Sequence, residues 1–239
     1  MRVPFDLCNI RRNVAVKENY KTVYLITEGT NTEPNFLKNL LSNSNYFKER
    51  TDLKFTYVKR KGIDFGKNRL SQMVECAKEI MKKRNEYLKD SIFIIFFDLD
   101  IYLKNLIEVE NIINENPGIY FAYTNPAFEL FLLLCKENGY KQNVEPHKSL
   151  IFENNRVENT KRRYVHKLLS NITNINSKSG DVSSFVNYLE NAIEEEQNLS
   201  PYLDDADKEL VSNVGMVLRC LKENTLDKIS YFKVSDKVW

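Results

Sequence analysis

The chain has 239 residues, of which 42% are hydrophobic and 28% charged, a composition typical of a globular protein with a sizeable buried core. Its formal net charge of +2 is too small to indicate a nucleic-acid-binding protein on its own. The sequence contains neither an apolar run of about 18 residues nor a signal-peptide core, so we expect a cytoplasmic protein without membrane association. The four cysteines are scattered and have no histidine cluster near them, which argues against a zinc site.

The first 140 residues alternate between strand and helix patterns. Runs of β-branched and apolar residues predict strands at 22–27, 54–58, 91–97 and 118–123. Helical spacing of apolar residues predicts helices that begin at Glu33, near Gly66, near Leu103 and at Pro126. Because this alternation is typical of a parallel sheet covered on both faces, we predict an α/β fold with a mainly parallel four-stranded sheet flanked by helices.

The pattern changes after about residue 139, where the alternation stops. Residues 139–160 are polar, with a short strand predicted at 150–152, and helical patterns follow at about 158–170, 182–197 and 205–223. We therefore predict an α/β catalytic domain over residues 1–140 and a mainly helical C-terminal cap over residues 141–239. The second part is expected to extend the first rather than to fold independently.

Two aspartates separated by one residue end the most apolar predicted strand. Asp98 and Asp100 follow the run 92–97, and alternate residues of an extended chain point to the same side, with Cα atoms about 7 Å apart. Open α/β sheets bind ligands beyond the carboxyl ends of their strands, and two desolvated carboxylates there favour a bound cation. Oxygen ligands of this kind suit Mg²⁺ or Mn²⁺. A solvated acidic turn explains this pair equally well when it is considered alone.

Three glutamates fall where they could join this pair. Glu28 ends the first predicted strand, and parallel strands end at one edge of a sheet, so Glu28 could share an ion with Asp98 and Asp100. Glu33 lies in the first turn of the next helix, where it could instead be a favourable helix-dipole charge. Glu129 lies among apolar residues and is expected to be paired or a metal ligand, because burying a lone charge is costly. Three or four acids would allow one or two ions, which can assist phosphodiester cleavage.

A few basic residues indicate where a phosphate chain could bind. The candidate nucleic-acid contacts are Lys61, after the second predicted strand, and Arg162, Arg163 and His166, in one basic helical segment. Basic triplets are more often solvated surface than phosphate contacts, and that interpretation stays open for each of them.

Three segments resemble the motifs of the RloB-like family in order and spacing. They are TEGTNTEPNFLKNL at 27–40, FIIFFDLDIY at 93–102 and TNPAFELFLLL at 124–134. The resemblance implies a Toprim-type domain whose acids are Glu28, Asp98 and Asp100, with further motif acids at Glu33 and Glu129. It also implies Mg²⁺- or Mn²⁺-dependent cleavage of DNA or RNA, tRNA included, in restriction and phage-defence loci.

The resemblance leaves a second class of function open. Proteins of such loci often act beside an ATPase or a restriction enzyme, and this chain has no P-loop motif of its own. It could therefore be an effector or binding subunit that acts only with such a partner, and self-association is also left open. A phosphatase of the haloacid-dehalogenase type is disfavoured, because its Asp-x-Asp motif ends the first strand, whereas here the motif ends the third.

Overall fold

A computed structural model describes residues 20–43, 45–58, 70–83, 91–158, 160–176 and 181–233. This part of the chain forms a five-stranded sheet with helices on both faces. The strands are β1 (Lys21–Thr27), β2 (Leu53–Tyr57), β3 (Ile92–Asp98), β4 (Ile119–Asn125) and β5 (Val211–Ser212). The helices are α1 (Thr32–Asn43), α2 (Leu70–Lys83), α3 (Leu106–Asn114), α4 (Glu129–Leu134), α5 (Lys148–Glu153), α6 (Tyr164–Thr173), α7 (Ser183–Val186), α8 (Leu189–Glu195) and α9 (Val214–Glu223).

The order of the strands across the sheet is β2-β1-β3-β4-β5. β1 pairs in parallel with β2 and with β3, and β3 pairs in parallel with β4, whereas β5 runs antiparallel to β4. The chain thus leaves β1 towards one side and returns on the other, so a topological switch point lies between the carboxyl ends of β1 and β3. The predicted α/β class and the mainly parallel sheet are confirmed, and the predicted count of four strands is wrong.

Helices cover both faces of the sheet because the central strands are apolar on both sides. On one face Tyr24, Ile95 and Phe97 pack in a cluster with residues of α2 and α3. On the other face Leu25 and Phe96 pack in a cluster with residues of α1, α4, α6, α7, α8 and α9. The helices after residue 140 therefore bury the second face of the sheet, while the predicted division of the chain at residue 140 stays a prediction.

Long-range contacts account for two local differences from the predicted elements. Val211 and Ser212 pair with the edge of β4 instead of belonging to a helix at 205–223, and a two-residue strand has no periodicity by which to recognise it. α4 begins at Glu129 instead of Pro126, because the residues before it turn around Asp98, whose Oδ1 accepts a hydrogen bond from the Phe128 N–H. Glu129 is thus in the first turn of its helix.

The predicted helical regions after residue 140 are shorter and more divided than expected. The strand predicted at 150–152 is wrong, since these residues belong to α5, where Ile151 is buried and Leu150 is 48% exposed. α6 begins at Tyr164, and the stretch predicted at 182–197 contains α7 and α8 as separate helices. Residues 66–69 and 84 of the second predicted helix lie outside the described residues. None of the described helices has both the length and the apolarity needed to cross a membrane.

Candidate active site

The candidate site lies at the switch point between β1 and β3. Glu28 follows the last residue of β1, and Asp98 is the last residue of β3. The Glu28 N–H donates to the carbonyl of Phe96 at 2.8 Å, and Glu28 Oε2 accepts from the Asp98 N–H at 3.0 Å. The two predicted acids are therefore joined through the backbone of β3 at one edge of the sheet, as the parallel pairing requires.

Asp98 is held by the end of β4. Its Oδ1 accepts hydrogen bonds from the Thr124 hydroxyl at 3.1 Å and from the Phe128 N–H at 2.9 Å. Desolvation by burial raises the pKa of Asp98 well above its usual value, and the charges of Glu33, Glu129, Glu28 and Asp100 raise it further. Since all four of these acids act on Asp98, the structure brings the predicted acids into one electrostatic group with Asp98 at its centre.

Glu33 lies above Gly29 in the first turn of α1. Its side chain is buried, and its Oε1 accepts from the Gly29 N–H at 3.1 Å. Burial raises the pKa of Glu33 to about 7, and the charge of Glu129 adds to this effect. Gly29 is required here, because a Cβ atom at this position would lie 2.1 Å from Glu33 Oε2.

Glu129 contacts two side chains from other elements. Its Oε1 lies 2.8 Å from His166 Nδ1 and accepts from the Thr32 hydroxyl at 3.3 Å. The side chain of Glu129 is almost fully buried, that of His166 is 15% exposed, and both residues line the same pocket. The expectation that Glu129 is paired is therefore confirmed. His166 faces the acids from α6, although the histidines of the sequence are too far apart to indicate a site.

Asp100 and Arg163 form an ion pair on the outer side of the site. Arg163 Nη1 lies 3.4 Å from Asp100 Oδ2, with side-chain exposures of 47% and 19% respectively. Desolvation raises the pKa of Asp100, and the charge of Arg163 opposes this shift. Two residues predicted for different roles, one acidic and one in the basic segment, are thus in direct contact.

A pocket with a volume of about 230 Å³ opens beside these residues. It is lined by Gly29, Thr30, Asn31, Thr32, Glu33, Asp98, Glu129 and His166. Glu33, Asp98 and Glu129 are the predicted acids among its lining residues, whereas Glu28 and Asp100 are not among them. Carboxylate oxygens are chemically suited to a hard divalent cation. Within the described ranges, however, no three Asp, Glu, His or Cys side chains are arranged as a ligand set, so binding a cation would require side chains to rotate.

The remaining candidate contacts lie at different distances from the pocket. Arg162 is exposed, and its Nη1 lies 3.4 Å from the Ser170 hydroxyl. Lys61 lies outside the described residues. Sequence reasoning missed Thr124, Thr32 and Gly29, which hold Asp98, Glu129 and Glu33. The register of β3 and β4, in which Asp98 lies opposite Thr124, is the signal by which Thr124 could have been found.

Comparison with known proteins identifies the family of the chain. Searches of curated proteins and of solved structures found no match. A family model described as RloB-like protein matches residues 23–221, a range that includes β1, the acids of the site and α6 with His166. The chain therefore belongs to the RloB-like protein family.

Proposed function

We propose that this protein is a Toprim-type, metal-dependent nuclease that cleaves phosphodiester bonds of DNA or RNA in defence against phage. The observation that carries this proposal is the position of Asp98, enclosed by Glu28, Glu33, Asp100 and Glu129 at the switch point of the sheet. Such a concentration of desolvated acids is unfavourable without a counter-charge. A divalent cation would supply that charge and is the group that phosphodiester cleavage requires.

The residues of the site divide the work in this proposal. Glu33, Asp98 and Glu129, which line the pocket, would hold Mg²⁺ or Mn²⁺, and the cation would stabilise the negative charge that develops on the phosphate. Thr124 and the Phe128 N–H orient the Asp98 carboxylate, and Glu28 fixes the backbone at the same residue. Arg163 and His166 bring the positive or hydrogen-bonding groups that a phosphate needs beside the acids.

A second candidate function is that of an effector activated by a partner. Asp98 Oδ1 is already engaged by two donors, and Asp100 is paired with Arg163. The described acids do not form a ligand set in this arrangement. A partner ATPase or restriction complex that shifts α6 or the turn before α4 would release these carboxylates, so cleavage would depend on the partner.

The test is an assay of cleavage with plasmid DNA, tRNA and total RNA in Mn²⁺, Mg²⁺ or EDTA. We expect metal-dependent cleavage that falls at least about 100-fold in Asp98→Asn, because the group at the centre of the charge cluster is lost. Glu110→Gln is the matched control, since Glu110 is exposed on α3 on the other side of the sheet. Cleavage in EDTA, or full activity of Asp98→Asn, would contradict the proposal. Cleavage that appears only when an ATPase or restriction enzyme from the same locus is added would favour the second candidate.

A further inference from the structure

We propose that the loop between α5 and α6 is a basic arm that binds the backbone phosphates of a nucleic acid beside the acidic pocket. The basic arm is defined as residues 155–158 and 160–163. This inference rests on the proposed function, because it assigns the surface that would bring the same substrate to the site.

The basic arm has the hydrogen bonds of a short antiparallel ribbon. The Tyr164 N–H donates to the carbonyl of Asn155, and the Val157 N–H donates to the carbonyl of Arg162, each at 3.0 Å. Arg156 and Arg163 are partners in an antiparallel bridge. The hydroxyl of Thr160 donates to the carbonyl of Val157 at 2.9 Å. The backbone therefore sets the positions of the basic side chains.

The base of the basic arm is attached to the helices on both sides. Asn154 Oδ1 accepts from the Val165 N–H at 3.2 Å. The Tyr164 hydroxyl lies 3.0 Å from His147 Nδ1. Asn154 is almost fully buried, so the arm projects from a fixed point next to α6.

The positive charges of the basic arm are exposed and mostly without acidic partners. Arg156, Lys161, Arg162 and Arg163 are all exposed, and Glu158 is the one acid in the arm's sequence. Among the described residues Arg163 pairs with Asp100, while Arg156, Lys161 and Arg162 form no ion pair. Residues opposite each other in an antiparallel pair have Cβ atoms about 5 Å apart on one face, where like charges repel. Arg156 and Arg163 therefore form a pair of guanidinium groups that an anion between them would stabilise.

The basic arm leads directly to the acids. Arg163 contacts Asp100, and three residues later His166 contacts Glu129 in the pocket. An acidic pocket repels a polyanion, so a phosphate chain needs nearby cations to approach it. Guanidinium groups suit this task because they bind phosphate through paired hydrogen bonds. A chain with one phosphate at the pocket could place its next phosphates along Arg163, Arg156 and Arg162.

The test measures binding in EDTA, where cleavage does not interfere. A fluorescein-labelled single-stranded 20-mer, as DNA and as RNA, is titrated with protein over a series of salt concentrations, and anisotropy gives the affinity. We expect the slope of log K against log salt to become less steep by about 1.4 to 1.8 in the double variant Arg156→Gln/Arg162→Gln, because each lost phosphate contact removes about 0.7 to 0.9.

The matched control is Lys82→Gln/Lys83→Gln, which removes the same charge from exposed positions at the end of α2. α2 lies on the opposite face of the sheet, so we expect the wild-type slope, and thermal melting shows whether both variants are folded. Equal slopes for the two double variants, or no binding by the wild type, would overturn the inference. A reduced slope in a protein that cleaves nothing would keep the arm as a binding surface and contradict the nuclease. Cleavage with an unchanged slope would do the reverse.

Discussion

The carboxylates of Glu33 and Asp98 lie in surroundings that oppose their ionisation. Both are desolvated, and each is also raised in pKa by the charge of Glu129. A raised carboxyl pKa means that the folded protein binds a proton more tightly than the unfolded chain does. The group therefore stabilises the fold at low pH, and this contribution is lost as the pH rises through the folded-state pKa. A bound cation would replace the proton.

Replacing Glu33 with Gln should make the metal-free protein more stable at high pH. The pKa of Glu33 is about 7 against a model value of 4.5, so wild type loses up to about 3 kcal/mol between pH 4 and pH 8 through this group. Glu33→Gln cannot ionise and escapes this loss. Urea denaturation in EDTA at the two pH values measures the difference, and we expect the advantage of the variant to grow with pH.

The control for this pH dependence is Glu110→Gln, at an exposed site on α3. It should follow the wild-type profile at every pH. An advantage of Glu33→Gln that is the same at pH 4 and pH 8 would contradict the raised pKa.

Replacing Gly29 with Ala should displace the Glu33 carboxylate while leaving the fold in place. The added Cβ atom would lie 2.1 Å from Glu33 Oε2, and the end of a flexible side chain can move at small cost. We expect a change in the free energy of unfolding of about 1 kcal/mol or less, with a loss of nuclease activity of about 10-fold or more. Gly118→Ala, which meets no atom within 4 Å, should keep full activity. Unchanged cleavage by Gly29→Ala would remove Glu33 from the proposed site.

The residues of the site differ in how far the sequence predicts them. Glu28 and Asp98 are predictable, because strands can be recognised locally and parallel strands end at one edge. The pair of Asp100 with Arg163 is not, since it joins residues 63 positions apart through the packing of α6. His166 is identified as a pocket residue for the same reason only when α6 is placed over α4.

At the scale of elements, α9 depends on a carboxylate that comes from outside the helix. Glu196 accepts hydrogen bonds from the Ser212 hydroxyl at 2.5 Å, the Gly215 N–H at 3.0 Å and the Met216 N–H at 2.8 Å. These backbone donors belong to the first turn of α9, where N–H groups have no partner within the helix. A negative charge at a helix N-terminus is also favoured by the helix dipole.

Removing this carboxylate should destabilise the whole fold. Glu196→Ala leaves buried donors without an acceptor, and we expect a loss of about 2–4 kcal/mol in the free energy of unfolding. Urea denaturation measures it. Glu194→Ala, at an exposed position of the same helix α8, should change the value by less than about 0.5 kcal/mol. Similar losses in the two variants would show that Glu196 does not cap α9.

Predicted elements agree with the structure where local periodicity decides them. β3 is an unbroken apolar run, and it is a central strand covered on both faces. β5 consists of only two residues whose pairing with β4 depends on the chain returning from residue 125 to residue 211. The start of α4 is set by the hydrogen bond of Phe128 to Asp98, a tertiary contact that helical spacing does not reveal.

For the whole molecule, the α/β part and the later helices share one hydrophobic core. Phe131 and Leu134 of α4 are fully buried together with Leu169 of α6 and Leu218 of α9. Without residues 141–239 this face of the sheet would be exposed to water, at a cost of about 25 cal/mol for each Å² of apolar surface. The two predicted parts are therefore expected to depend on each other for stability.

A fragment of residues 1–140 should not fold by itself. We expect neither a near-ultraviolet circular dichroism signal nor a cooperative urea transition from the fragment, whereas the full chain should show both. Adding a separately produced fragment of residues 141–239 should restore part of the signal, because it supplies the missing face of the core. A cooperative transition of the first fragment alone would show that its sheet is stable without the helices.

The outer edge of β4 is closed by side chains rather than by a long strand. Asn213 accepts from the Tyr123 N–H and donates to the carbonyl of Phe121, and the Tyr231 hydroxyl accepts from the Phe121 N–H. An amide side chain and a phenol thus take the places that a neighbouring backbone would fill. A foreign strand has no free ladder to join on this side, so any intermolecular extension of the sheet must begin at β2, the opposite margin.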